Sequence, residues 1–314
     1  MPTNIIEIKK LTKKFGDFTA VDNINLSIRE GEIFGFLGPN GAGKTTTISM
    51  LTTLIKPTKG NATISGHDIS QESIDVRSVI GVVPQSFALF PELTAQENLN
   101  YIGKLYGLTS KKIKERSEYL LKQVSLYEHK DRFAGVFSGG MKQRLSLAAS
   151  IMSSPRILFM DEPTTGLDPQ SRIAMREITK ALNKDGITVI YTTHDMDEAE
   201  KICDRIVIMD KGKIIADGTS MELKKMIMKD KLIEIKTDSP VKSLVPELKK
   251  LPGITNSYTS EGLVYVRVKK EQGMFSELYE FFKKRKINVE EIKFVEPSLE
   301  EVFITLTKKD VRDN

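Results

Sequence analysis

Gly38-Pro39-Asn40-Gly41-Ala42-Gly43-Lys44-Thr45 follows an apolar run, Ile33-Phe34-Gly35-Phe36-Leu37, and precedes a helical stretch from Thr46 to Leu54. Glycines at this spacing let backbone N–H groups turn inward around phosphate oxygens, and a helix starting there adds positive potential. The loop from Gly38 to Thr46 is therefore expected to wrap a polyphosphate. Lys44 would reach the β- and γ-phosphates, and the Thr45 hydroxyl would ligate Mg2+. Farther on, Ile157-Leu158-Phe159-Met160 delivers two adjacent carboxylates, Asp161 and Glu162, followed by Pro163. Asp161 suits the Walker-B role of holding the Mg2+ shell, and Glu162 can polarise an attacking water. An acidic pair ending a strand is often only solvated, but the phosphate loop gives this one a purpose. Between the two lies Phe137-Ser138-Gly139-Gly140-Met141-Lys142-Gln143-Arg144-Leu145. Ser138 reads as an N-cap, and a serine with two glycines at a helix start is also a second anion site.

These groups need rigid elements behind them. Continuous apolar runs such as Ile33 to Leu37 and Ile157 to Met160 are the pattern of parallel strands buried on both faces. Ala20 to Ile28 instead alternates, with Val21, Ile24, Leu26 and Ile28 amid polar residues, and reads as an antiparallel strand with one solvated face. Leu99, Ile102, Leu105 and Tyr106, then Ile113, Leu120, Leu121 and Val124, fall at helical spacing and form a helical insert at about residues 87–135. The first unit, residues 1–229, is thus an α/β core with an antiparallel β subdomain and that insert. Residues 230–314 read as a strand (Leu232 to Lys236), a helix (Val241 to Lys250), two strands (Ile254 to Thr259, Leu263 to Val268), a helix (Met274 to Lys286) and a strand (Val289 to Val295). That order is ferredoxin-like, with Gly253, Gly262 and Gly273 at its turns.

Composition narrows the function. The 314 residues are 39% hydrophobic and 28% charged, which suits one large or two modest folded domains. The longest stretch without Asp, Glu, Lys or Arg, Ser78 to Pro91, contains Pro84 and Gln85 and is shorter than the ~20 apolar residues of a spanning helix. The first residues carry no signal-peptide pattern, and Cys203 alone can form neither an intrachain disulfide nor a cysteine metal cluster. A cytosolic chain is expected. The net charge of +5 divides as +3 before residue 231 and +2 after it, and the one dense basic run, Lys283-Lys284-Arg285-Lys286, closes an expected helix. Specific nucleic-acid binding is not expected.

In its ordered motifs the chain resembles the ATP-binding subunits of ABC transporters. Ser138-Gly139-Gly140-Met141-Lys142-Gln143-Arg144 matches that family's signature, which discriminates better than the phosphate loop. The resemblance covers about residues 4–220. It implies Gln85 as the Q-loop residue near the metal, Gly166-Leu167-Asp168 as the D-loop, His194 as the switch histidine contacting the γ-phosphate, and Phe15 as the aromatic that stacks on adenine. Phe137 stands for the usual Leu, Thr165-Gly166 for the commoner Ser-Ala, and Phe15 for a more frequent Tyr; all keep size or polarity. Glu97-Asn98-Leu99, Lys104-Leu105-Tyr106-Gly107-Leu108 and Pro297-Ser298-Leu299-Glu300-Glu301-Val302-Phe303 are similar to the daunorubicin-resistance type of exporter ATPase.

The resemblance implies a head-to-tail homodimer formed on ATP binding, with ATP between the phosphate loop of one copy and Ser138, Gly139 and Gly140 of the other, Mg2+ as its companion ion and Asp168 among the nucleotide-binding residues. It also implies a separate integral-membrane permease and a peripheral place on the cytoplasmic side of the membrane. Two further readings are a nucleotide-gated regulatory protein and a nucleic-acid-associated ABC ATPase. Only about a hundred residues separate Lys44 from Ser138, too few for the long coiled coil of the DNA-repair type.

Overall fold

Strands with every side chain buried carry the first unit. Ile33–Leu37, Ile157–Asp161 and Thr188–Thr193 are buried along their whole length, because they lie inside one six-stranded sheet. Its spatial order is Lys213–Gly218, Arg205–Asp210, Ile33–Leu37, Thr188–Thr193, Ile157–Asp161, Ile80–Val83. All neighbours are parallel except the edge strand Lys213–Gly218. The C-terminal ends of the middle strands therefore fall together, which is where ligands bind in open α/β sheets.

This computed structural model describes residues 3–227, 231–239, 242–260, 262–269 and 273–310. Packing divides the chain into Met1–Thr219 and Ser220–Asn314; the 229/230 boundary read from the sequence lies outside the described residues. A second sheet of the first unit, ordered Phe18–Arg29, Asn4–Phe15, Lys59–Ile64, His67–Asp68, is antiparallel. Val21, Ile24, Leu26 and Ile28 are all buried; the last three follow the alternation, and where it breaks, between Val21 and Ile24, the strand has a register shift with Asn23 at a φ of 51°. One apolar core holds Ile6, Leu11, Phe34, Phe36, Leu51 and Phe159, and a second holds Leu99, Leu120, Leu145, Leu158 and Tyr191.

The insert consists of helices Ala95–Leu105 and Ser110–Gln123. A capping box of Thr94 and Glu97 starts the first, and Thr109 caps the second. Leu105 and Tyr106, read as part of the apolar face, are instead 67% and 47% exposed, because they close the helix just before the turn at Gly107.

In the second unit the strands Ile254–Ser260, Leu263–Val268, Lys231–Thr237 and Val289–Val295 lie in the ferredoxin-like order with the first and last strands of the motif adjacent, all antiparallel. Ile233, Ile235, Val264, Val266, Leu278 and Phe282 form its core. The expected helix Val241 to Lys250 is shorter: a 3-10 turn at Lys242–Leu244 leads into Val245–Leu248, with Pro246 in the first helical turn. Val241 itself lies outside the described residues. The second expected helix spans Met274–Lys283, and Lys286, beyond its end, takes a positive φ of 59°. Two helices not read from the sequence, Ser220–Ile227 and Leu299–Asp310, complete the unit and pack on each other.

Candidate functional site

The glycine loop runs from the end of Ile33–Leu37 into the helix Lys44–Leu51. Its shape depends on glycine at two places. A Cβ on Gly38 would lie 2.3 Å from the Met209 carbonyl oxygen, and one on Gly43 2.6 Å from that of Ala20. Gly43 also has a φ of +103°, where other residues are strained. The Lys44 ammonium is buried, donates to the Gly38 and Pro39 carbonyls at 2.6 and 3.1 Å, and stands 3.6 Å from the Glu162 carboxylate. Burial lowers its pKa, and the carboxylates of Glu162 and Asp161 only partly restore it.

Opposite the loop, the strand Ile157–Asp161 ends in the two carboxylates. Thr45 Oγ1 donates to Asp161 Oδ1 at 3.3 Å, and Thr192 Oγ1 donates to the same oxygen at 2.5 Å. Glu162 sits at a φ of +48°, held there by its N–H, which donates to the Thr192 carbonyl and Oγ1 at 3.2 and 2.9 Å. Its carboxylate gathers the rest of the site. His194 Nδ1 lies 3.1 Å from Oε1, while Thr165 Oγ1 and Gln85 Nε2 donate to Oε2 at 3.2 and 3.4 Å. Burial pushes the Glu162 carboxyl up, but the His194 hydrogen bond and charge, Lys44 and Thr165 together outweigh it and hold the pKa below the usual carboxylate value. The group is ionised at neutral pH, as a base must be.

Phe18, Ala20, Asn40, Gly41, Gly43, Lys44, Thr45, Thr46, Gln85 and Glu162 line a pocket of about 360 Å³. Gly38, Pro39 and Ala42 complete the loop that bounds it, and Asp161 and His194 join through Thr45 and Glu162. Phe15, half exposed, pairs with Phe18 across a hairpin and carries Lys13 Nζ 5.0 Å from its ring; Phe18, 65% exposed, is the aromatic of the pocket lining. Sequence reading missed Phe18, Thr165 and Thr192. Phe18 lies three residues from Phe15 and was available to it. Nothing local marks the threonines, whose roles come from strand pairing.

Ser138, Gly139, Gly140 and Asp168 are not in that lining. Ser138 caps Gly139–Ser150, accepting from the Met141 N–H at 3.2 Å, and Asp168 caps Pro169–Lys184 through Ser171. The two caps are neighbours: a Cβ on Gly140 would meet Ser171 Oγ at 2.1 Å and lie 3.9 Å from Asp168 Oδ2. The chain thus presents a pocket walled on one side by the glycine loop and, elsewhere, an exposed helix start.

A family model described as ABC transporter matches residues 21–165, and one described as the C-terminal domain of DrrA1-3-like ATP-binding proteins matches 218–307. The linearmycin resistance ATP-binding protein LnrL of Bacillus subtilis is 39% identical over 98% of this chain and 100% of its own. The daunorubicin resistance ATP-binding protein DrrA3 of Streptomyces coeruleorubidus is 36% identical over 99% and 98%. Among solved structures, a dimeric ATP-binding cassette in a post-hydrolysis state with ADP and Pi superposes with a TM-score of 0.63 at 31% identity, over 68% of this chain and 98% of that one. Full-length likeness, the two-part match and the phosphate pocket agree: the chain belongs to the ABC transporter family as an ATP-binding subunit that hydrolyses ATP, of the daunorubicin-resistance exporter type.

Proposed function

We propose that two copies of this chain close head to tail on ATP and drive export through a separate membrane permease. The observation that carries this reading is the incomplete site: Lys44, Thr45, Gln85, Asp161, Glu162 and His194 converge, while the exposed helix start at Ser138 lies outside their pocket. A second copy supplies the missing half. Phosphate charge then lies between Lys44 and the loop amides on one side and Ser138, Gly139 and Gly140 on the other.

Thr45 Oγ1 and Asp161, in contact with each other, are hard oxygen donors that fit Mg2+, and Gln85, in the pocket lining, would add its amide oxygen. When bound, the ion neutralises charge on the β- and γ-phosphate oxygens. Glu162 orients and deprotonates the attacking water, with Gln85 and Thr165 fixing its carboxylate; His194 donates toward the γ-phosphate, and Phe15 with Phe18 offers the adenine a stacking face. Loss of the γ-phosphate weakens the bridge and the copies part.

The helical insert presents Phe87, Tyr101, Leu105 and Tyr106, each more than 40% exposed, and Gln85 leads directly into it. A permease contact there would link the pocket to transport. No helix among the described residues is long and apolar enough to cross a membrane, in keeping with a peripheral subunit on the cytoplasmic side. The linearmycin and daunorubicin resistance in the relatives' names favours a drug as cargo. Residues 230–314 serve dimerisation or regulation; their deletion with ATP-driven dimerisation and transport unchanged would count against that role.

Glu162→Gln tests the core of the reading. Hydrolysis should fall by about 10²–10⁴-fold with nucleotide binding retained and ATP-dependent dimers trapped. Ser138→Arg should leave nucleotide binding intact and abolish the dimer. A Glu162→Gln chain with parental turnover would overturn the assignment of the base, and a Ser138→Arg chain that dimerises on ATP would overturn the shared site.

A further inference from the structure

Two arginines one helical turn apart tie the loop after Glu162 to the loop of His194. Arg172, in Pro169–Lys184, donates from Nε to the Leu167 carbonyl at 3.1 Å and from Nη1 to Asp195 Oδ2 at 3.3 Å. Leu167 immediately precedes Asp168, and Asp195 immediately follows His194. One guanidinium therefore grips both loops at once. The grip is divided cleanly at the carboxylate, since Asp195 Oδ1 is used otherwise, accepting from the Glu198 N–H at 3.0 Å to cap Met196–Ile202. The second arginine, Arg176, lies 3.5 Å from Glu198 Oε2; Glu198 Oε1 accepts from Tyr191, whose hydroxyl is 3.4 Å from Thr164 Oγ1. This inner rung is buried, with Glu198 4% and Arg176 17% exposed, and it fixes the roots of the two loops. The outer rung is 40% and 38% exposed, where an ion pair adds little to stability. Such a pair does little to brace the fold, yet it joins the two loops.

We propose that Arg172 is a positioning residue for hydrolysis, one that makes the Leu167–Asp168 loop and the His194–Asp195 loop move as a single piece. The helix that Asp168 caps also packs on the signature helix, Ser171 against Gly140. Seating of that helix start on the nucleotide of a second copy is thereby passed to His194 in this copy's own pocket. The proposal rests on the paired-copy reading above, and deepens it by naming the side chain through which the two sites sense each other.

The test uses the full chain and ATP, with Arg172→Gln, Arg172→Lys, Asp195→Asn and the Arg172→Gln/Asp195→Asn double variant. Asparagine keeps the helix cap while losing the charge. Arg172→Gln should lower kcat about five- to tenfold and bring the Hill coefficient for ATP toward one, with KM and nucleotide affinity within about twofold of the parent. Asp195→Asn should do the same, the double variant should be no worse than either single, and Arg172→Lys should recover part of the loss. A merely structural role would lower the melting temperature and the active fraction but leave the Hill coefficient in place. Unchanged kcat and cooperativity in Arg172→Gln, or a double variant whose loss is the product of the singles, would overturn the proposal. Failure of the underlying paired-copy reading has its own signature, ATP-dependent dimerisation of Ser138→Arg measured alongside.

Discussion

Glu162 holds a backbone conformation that its own residue type disfavours, and the surrounding strands explain why it stays there. A non-glycine φ of +48° costs on the order of 1–3 kcal/mol, offset by two hydrogen bonds from its N–H to Thr192. The turn aims the carboxylate back at Lys44, Gln85 and His194 instead of along the strand. The carboxylate pair was legible in the sequence because a strand end beside a glycine loop has few other uses. The strain and the Thr192 clamp were not, since Thr192 comes from a strand thirty residues away that only the parallel sheet places alongside. Gly43 offers the sharper test of the loop. An alanine there would have to keep φ near +103° with its Cβ 2.6 Å from the Ala20 carbonyl oxygen, a backbone atom with no freedom to withdraw. Gly43→Ala should therefore weaken ATP binding at least about tenfold, the equivalent of the ~1–2 kcal/mol that left-handed backbone costs an L-residue. Titration with a fluorescent ATP analogue measures this directly, and parental affinity would mean that the loop relaxes at no cost.

Helix Gly139–Ser150 is anchored at both ends by the insert. At its N-terminal half, Arg144 donates from Nη1 to the Val124 carbonyl at 3.0 Å, which terminates Ser110–Gln123. At its other end, Arg116 donates from Nε to the Met152 carbonyl at 2.7 Å and also to that of Ile151, the two residues that follow the helix. Burial lowers the Arg116 pKa. Arg116→Ala should destabilise the chain by about 1.5–3 kcal/mol, the range for hydrogen bonds to charged groups, with a lower urea midpoint and an unchanged slope. A midpoint equal to the parent's would show that water replaces the guanidinium. Most elements were legible from period and caps: alternation marked the solvated sheet, full apolar runs marked the buried one, and Ser138 marked a helix start. The arginine braces were not, because a long cation on an amphipathic helix looks the same whether it is solvated or reaches a distant carbonyl. Leu299–Asp310 was not read as a helix although Leu299, Val302, Phe303 and Leu306 stand at helical spacing; it packs on Ser220–Ile227.

At the scale of the whole chain, each unit closes a core of its own. Every buried residue of the two N-terminal clusters lies between Ile5 and Met209, and every one of the C-terminal cluster between Ile233 and Phe282. The residues of the nucleotide pocket lie between Phe18 and Glu162, with His194 beside them. Hence a chain shortened to residues 1–219 should keep the pocket intact. A ligand that binds only the folded state stabilises it by about 2.7 kcal/mol at a hundred times its Kd, which for a domain of this size raises the melting temperature by about 5–10 °C. The shortened chain should show that rise with a non-hydrolysable ATP analogue, and Lys44→Ala in the same background should abolish it. If the full chain responds and the shortened one does not, the C-terminal unit contributes to nucleotide binding, and its role is then part of the site rather than dimerisation or regulation.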